Sequence, residues 1–207
     1  MAARAAALVV HDLKNELGAL EAVLEQLALQ PDPARAVAAH AQCRDLRQRL
    51  MSFLTVYGHE GELHAHCVDE SPMELLSALH ARGLRRAGGL QVTLAVSPDL
   101  PVIWFFDRRL VMMALEAALH NALRFARSSV WLGARSEAGH LVFVIDDDGP
   151  GLGGADAADA ADAGSTGLGT DLCRAVGIAH GMATGDAAVR LFNRAEGGAR
   201  FELWLAT

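Results

Sequence analysis

Val10, Leu13, Leu17, Leu20, Leu24 and Leu27 recur at alternating steps of three and four residues. That is the pattern of a helix packed along another helix. It stops near Gln30, where "QPDPA" supplies two prolines and an aspartate, suited to a turn and a new helix start. From about Ala34 a second helix is predicted, carrying Ala39, Cys43, Leu46, Leu50, Phe53 and Tyr57 at heptad steps. Two such helices joined by a short turn make an antiparallel hairpin. A hairpin buries only one face of each helix. Pairing with a second copy into a four-helix bundle would cover the rest, as would packing on the remainder of its own chain.

After "YGHEGE" (57–62), a two-glycine linker, the periodicity changes. A short strand is expected at 62–68. Ser71, Pro72 and Glu74 then start a helix with a capping box. "QVTLAVS" and "VIWFF" alternate as strands, and Asp107 caps a long helix running to Ala126. "SSVWLGARSEAGHLVFVIDDDG" reads as a hairpin turning at "EAG". A glycine-rich stretch (149–169), a helix (170–180) and two closing strands, "AAVRLFN" and "ARFELWLA", complete the chain. Mixed strands with helices on one face predict an α+β sandwich. The expected units are a hairpin at 1–57, a linker and first strand at 58–68, and the sandwich at 69–207.

Hydrophobic residues make up 52% of the 207, yet no apolar run approaches membrane-spanning length. No cleavage-site pattern follows the short apolar stretch after Met1, so no signal peptide is expected. The net charge of −7 argues against nucleic acid as the main partner. Three scattered cysteines, Cys43, Cys67 and Cys173, fit reduced thiols in a cytoplasmic protein. "HAHC" (64–67) has the alternation of an extended segment, and no second ligand pair sits at zinc-site spacing.

Four stretches carry candidate chemistry. In "HDLKNELG", His11 lies roughly 150° from the apolar seam, with Asn15 one turn along on its face. "ALHNALRFA" places Asn121 and Arg124 on the long helix. An Asn carbonyl oxygen suits Mg²⁺. "VIDDDGPGL" ends a strand in aspartates and then Gly-Pro-Gly, so a carboxylate can accept from an adenine amino group while the backbone approaches the base. "GSTGLGTDL" is a glycine loop opening a helix, which aims free N–H groups at phosphates. Each stretch alone has an ordinary structural explanation as a turn, a loop or a solvated face. Their order and spacing together are far more specific.

In that order the chain resembles two-component sensor histidine kinases, with a dimerisation and phosphotransfer hairpin followed by a GHKL-type catalytic domain. "HDLKNELG" looks like the H box, "HNALRFA" the N box, "DDDGPGL" the G1 box and "GSTGLGTDLCRAVGIAHG" the G2 box. "GGARFELWL" resembles the usual closing strand. The resemblance implies that His11 accepts phosphate from ATP, that Asp12 orients and activates its imidazole, and that Asn15 positions ATP or a water. It implies that Asn121 holds Mg²⁺ and that Arg124 lies near the phosphates. Asp147 would read adenine, and Gly149, Gly151, Gly167, Leu168 and Gly169 would shape the pocket. Residues between Leu152 and Thr166 would form the ATP lid. Of the aspartates beside Asp147, Asp146 should point to the opposite sheet face. Asp148 fills a position that the family gives to either Asp or Asn.

The implied function is autophosphorylation on His11 and transfer to the receiver-domain aspartate of a response regulator, with phosphatase activity as a possible companion. The implied partners are a response regulator and a second copy through the hairpin; no sensor domain lies in this sequence, so either it is a fragment, or its signal arrives through a separate sensor protein or through the few residues before His11. Two other readings remain: a histidine phosphotransferase or dimeric scaffold with a vestigial ATP-binding domain, and a GHKL ATPase or serine kinase, which gives the H box no purpose. The sequence also departs from the family pattern. Glu16 stands where the H box has proline, so a weak helix kink is expected. Ala117 stands where the N box has an acid or amide, with Glu116 beside it, so a weaker hold on Mg²⁺ is expected.

Overall fold

The computed structural model describes residues 2–58, 63–153 and 167–206, with side chains from Val9 onward. Part of the expected linker (59–62) and most of the expected lid (154–166) lie outside the described residues. The chain divides into two compact units, Met1–Gly61 and Glu62–Thr207.

The first unit is a hairpin of α1 (Ala2–Leu29) and α2 (Pro33–Tyr57). The Asp32 carboxylate accepts from the backbone N–H groups of Ala34 and Arg35 at 2.9 and 3.2 Å, and Pro33 occupies the first helical position. Those two features set the turn where the sequence predicts it. The Glu16 carboxylate pairs with the Arg49 guanidinium across the hairpin.

The apolar seam of α1 is not one continuous stripe. Val9 and Leu20 are buried, and Leu13, Val23 and Leu27 are half-buried. Val10, Leu17 and Leu24 remain 50, 47 and 52% exposed. The two sets lie roughly 75° apart round the helix, and one partner helix covers only the first. On α2 the expected seam is likewise partly uncovered, with Cys43 and Leu50 exposed.

The second unit contains β1 (Val68–Glu70), α3 (Pro72–Leu84), β2 (Gln91–Leu94), β3 (Trp104–Phe106), α4 (Arg108–Phe125), β4 (Ser129–Glu137) and β5 (His140–Asp147). These are followed by α5 (Leu168–Ala179), α6 (Gly185–Ala188), β6 (Val189–Asn193) and β7 (Ala199–Leu205). Five strands form a mixed sheet in the order β2-β4-β5-β7-β6, in which only β2 and β4 run parallel. β1 and β3 pair separately as an antiparallel ribbon. The α+β architecture is the expected one.

Two elements differ from expectation. Residues 63–67 are not a strand; pairing begins at Val68. The alternation seen in the sequence survives, with His64 and His66 exposed and their neighbours half-buried. However, the His66 N–H donates to the Asp107 carboxylate at 3.1 Å rather than to a ladder. A single helical turn, α6, also precedes β6 because Thr184 caps it, its hydroxyl accepting from the Ala187 N–H.

Alternate residues of the sheet fill the core against the helices. Val130 and Leu132 of β4, Leu141, Phe143 and Ile145 of β5, and Leu203 and Leu205 of β7 are all buried. Phe106 meets Phe143 edge-on at 6.1 Å. Cys173 is buried between α5 and α4, its thiol donating to the Ala114 carbonyl at 3.4 Å, and burial pushes it up to about 12. His180 joins the end of α5 to the start of α4. Its Nδ1 contacts the Val176 carbonyl at 2.7 Å, and its Nε2 accepts from the Asp107 N–H at 2.9 Å. Among the described residues no helix is long and apolar enough to cross a membrane.

Candidate active site

α4 brings the N-box and glycine segments together. Ala117, Asn121 and Phe125 are spaced by four and share one side of the helix. A Cβ on Gly169 would touch the Ala117 methyl at 3.6 Å, and one on Gly149 would collide with the Phe125 carbonyl oxygen. The two glycine segments therefore reach α4 at points about 12 Å apart, at 1.5 Å per residue. Asn121, exposed, lies midway between them. Arg124 is also exposed, its guanidinium carbon 5.4 Å from the Phe125 ring centre.

The three aspartates at the end of β5 have different partners. Asp147 is buried on the helix side of the sheet. Its Oδ1 accepts the N–H groups of Gly149 (2.8 Å) and Ala199 (3.2 Å), and its Oδ2 has no partner among the described residues. That oxygen is the one available to a ligand. Asp146 points to the other face, as strand alternation requires, and takes two hydrogen bonds from Arg200 at 2.7 and 2.6 Å. Those bonds raise the Arg200 pKa above its ordinary value.

Asp148 turns back to the α4–β4 connection. It accepts from the N–H groups of Arg127 (2.8 Å), Ser128 (3.0 Å) and Ser129 (3.1 Å), and from the Ser128 hydroxyl (2.6 Å). Desolvation would raise its pKa, but these four donors outweigh it and hold the carboxyl well below the usual range. The charge of Asp148 is therefore engaged in holding the α4–β4 connection.

Gly167 precedes α5 with φ of 70°, and among the described residues no side chain caps the helix. No described side chain takes up the N–H groups of the first turn, and such groups suit an anion. The Leu168 side chain is buried in the core, so its backbone is the part that can face a ligand.

The donor set suits a hard cation held largely by phosphate oxygens and water. Asn121 offers an amide oxygen without a partner among the described residues, Ala117 offers no ligand atom, and Glu116 pairs with Arg82.

In the hairpin unit, the His11 side chain is 66% exposed and lies roughly 180° round α1 from Leu20. Its Nδ1 is 3.5 Å from Asp12 Oδ1 and 3.3 Å from Asn15 Nδ2. The two contacts belong to different tautomers: Nδ1–H can donate to Asp12, whereas a bare Nδ1 accepts from Asn15. Either way Nδ1 is the engaged nitrogen.

One group escaped the sequence reading. The β6–β7 turn, "NRAEGGA", folds over the start of the G1 segment. Its paired glycines marked a turn, but nothing in the sequence showed what the turn would touch.

Residues 106–207 match the family described as "Histidine kinase-, DNA gyrase B-, and HSP90-like ATPase". Over 146 residues, 69% of this chain, the sequence is 30% identical to the sensor protein kinase CarS of Pseudomonas aeruginosa. It is 24% identical over 152 residues to the sensor protein PhoQ of Escherichia coli O157:H7. The chain spans about a third of the length of these curated relatives, 32% and 30%. The fold is similar to that of the Acinetobacter baumannii histidine kinase AdeS, with a TM-score of 0.62 and 18% identity, covering 95% of this chain and 97% of that one. It is also similar to full-length ShkA, solved with AMPPNP, with a TM-score of 0.59 and 19% identity over 99% of this chain and 46% of that one. The ATP-binding domain of PrrB from Mycobacterium tuberculosis matches 68% of this chain and 96% of its own length, at 25% identity and a TM-score of 0.51.

Proposed function

With a GHKL-type ATPase domain in residues 106–207 and two-component sensor kinases as relatives, we propose that this chain is an ATP-dependent protein-histidine kinase that phosphorylates itself on His11. The observation that carries the reading is α4, which holds Asn121 between two glycine segments, one leading from Asp147 and the other opening α5. Asp147 Oδ2 receives the adenine amino group. The α5 N-terminus and Arg124 face the phosphates, and Asn121 would hold Mg²⁺, which would neutralise phosphate charge.

Phosphoryl transfer needs chiefly positioning and charge stabilisation. Asp12 accepts from His11 Nδ1–H, which leaves the Nε2 lone pair to attack the γ-phosphorus. The Nε2–P bond forms, the bond from phosphorus to the bridging oxygen breaks, and ADP leaves. Asp12 stabilises the charge that develops on the ring. In the second step a receiver-domain aspartate oxygen attacks the same phosphorus, the N–P bond breaks and an acyl phosphate forms. Asn15 positions ATP or, in the reverse sense, a water that dephosphorylates the regulator.

Val10, Leu17 and Leu24, together with Leu50, Met51 and Leu54 of α2, leave apolar side chains exposed on both helices of the hairpin. They support a homodimer through a four-helix bundle. ATP as substrate and three unbridged cysteines support a cytoplasmic location.

Incubation with γ-labelled ATP tests the reading. Label that is stable to base and labile to acid, and lost in His11→Gln, is the expected result. A protein that binds no nucleotide would instead be a phosphotransferase or scaffold.

A further inference from the structure

The β6–β7 turn grips the G1 segment at both ends. At the near end, the Ala199 N–H donates to Asp147 Oδ1 at 3.2 Å, and Arg194 Nη1 donates to the Asp147 carbonyl at 2.9 Å. Gly198 lies so close to that carbonyl that any Cβ there would collide with it, and its φ of 82° excludes most side chains as well. At the far end, the Asn193 side chain brackets Leu152. Its Oδ1 accepts the Leu152 N–H at 2.5 Å, and its Nδ2 donates to the Leu152 carbonyl at 3.3 Å. The Asn193 amide thus does for Leu152 what a paired strand residue would do, beyond the point where the β5 ladder ends at Asp147.

The four residues between these grips, Asp148 to Gly151, contain Gly149, Pro150 and Gly151 and carry no ladder of their own. Gly151 passes so near Asn193 that a Cβ would lie 2.7 Å from its Oδ1. Asn193 is exposed, so its amide holds backbone in place without filling any part of the core.

We propose that Asn193 is a positioning residue of the nucleotide site, fixing Leu152 and Gly151 so that the backbone beside Asp147 is set for the base before ATP arrives. The proposal rests on the nucleotide-site reading above. It follows from preorganisation: a segment already held in its bound shape loses less entropy when the ligand binds.

The test is calorimetric titration of the full chain with ATP and Mg²⁺, beside thermal unfolding, for the parent, Asn193→Ala and Asn193→Asp. Asn193→Ala removes both hydrogen bonds and should weaken ATP binding by about tenfold. Asn193→Asp keeps the acceptor for the Leu152 N–H and should restore binding to within about threefold of the parent. Both variants should melt at the parent's temperature. If the parent binds ATP and Asn193→Ala binds it equally well, the role is wrong and the site reading stands. If Asn193→Ala melts early and its binding falls only in proportion, the residue is structural and the proposal fails. A parent that binds no ATP overturns the site reading and this role together.

Discussion

Arg200 holds the Asp146 carboxylate with two hydrogen bonds, of 2.7 and 2.6 Å, on the sheet face opposite Asp147. Three successive aspartates therefore make separable predictions. Asp147→Asn should weaken ATP binding by about 1.5–3 kcal/mol, roughly ten- to a hundredfold, with little change in melting temperature. Asp146→Asn breaks a half-buried ion pair and should lower stability by about 1–2 kcal/mol while ATP affinity stays within a few-fold. Asp148→Asn loses the charge that four donors address and should also destabilise. Titration and melting of all three variants check the assignment. Loss of ATP affinity in Asp146→Asn with none in Asp147→Asn would reverse it.

Leu17 and Leu20 differ in the same way on α1. Leu20 is buried within the hairpin, whereas Leu17 is about half exposed in the single chain. Leu20→Asp should unfold the hairpin, since an unpaired buried charge costs several kcal/mol. Leu17→Asp should leave helix content intact and abolish association. Sedimentation and far-ultraviolet dichroism of both variants distinguish the outcomes. A parent that is monomeric at micromolar concentration contradicts the dimer.

His180 should make the second unit sensitive to mild acid. Desolvation lowers its pKa, against the opposing pull of the Val176 carbonyl and the Asp107 charge. A base depressed in the folded state stabilises it fully above the unfolded value of about 6.5 and loses that contribution as pH falls from there toward the folded value. Protonation would also set Nε2–H against the Asp107 N–H. Asp148, depressed as an acid, loses its contribution only in strong acid, below its unfolded value of about 3.9. Stability should therefore fall in two separate windows. In His180→Gln the slope just below about pH 6.5 should flatten while the acid limb remains. Denaturant unfolding across pH measures both.

His11 should be the sole site of label. His120, His140 and His180 lie beside Asn121, at the start of β5 and buried at the end of α5, away from any acid–His–Asn arrangement like that at residues 11–15. His11→Gln should retain ATP binding, because the residues proposed to bind nucleotide are in the other unit, and lose all phosphorylation. Phosphopeptide mapping that finds label elsewhere contradicts this.

Periodicity and end signals by themselves determined the hairpin and its turn, since Asp32 and Pro33 act within four residues of chain. They also determined α4 from its Asp107 cap and the opposite facing of Asp146 and Asp147, because strand alternation is local. The order of the H, N, G1 and G2 segments pointed to the site residues by resemblance. Which leucines the hairpin covers was not legible. A heptad names one seam, but how wide a stripe is buried depends on how many helices pack against it. Nor was the burial of the Leu168 side chain inside a glycine box, or the use of Asp148 as a cap for the α4–β4 connection. Asn193, 41 residues from Leu152 in sequence, becomes its backbone partner only because β6 and β5 flank β7. Local rules read contacts that span a few residues. Contacts made across a sheet depend on the strand order, which the chain settles only when it folds.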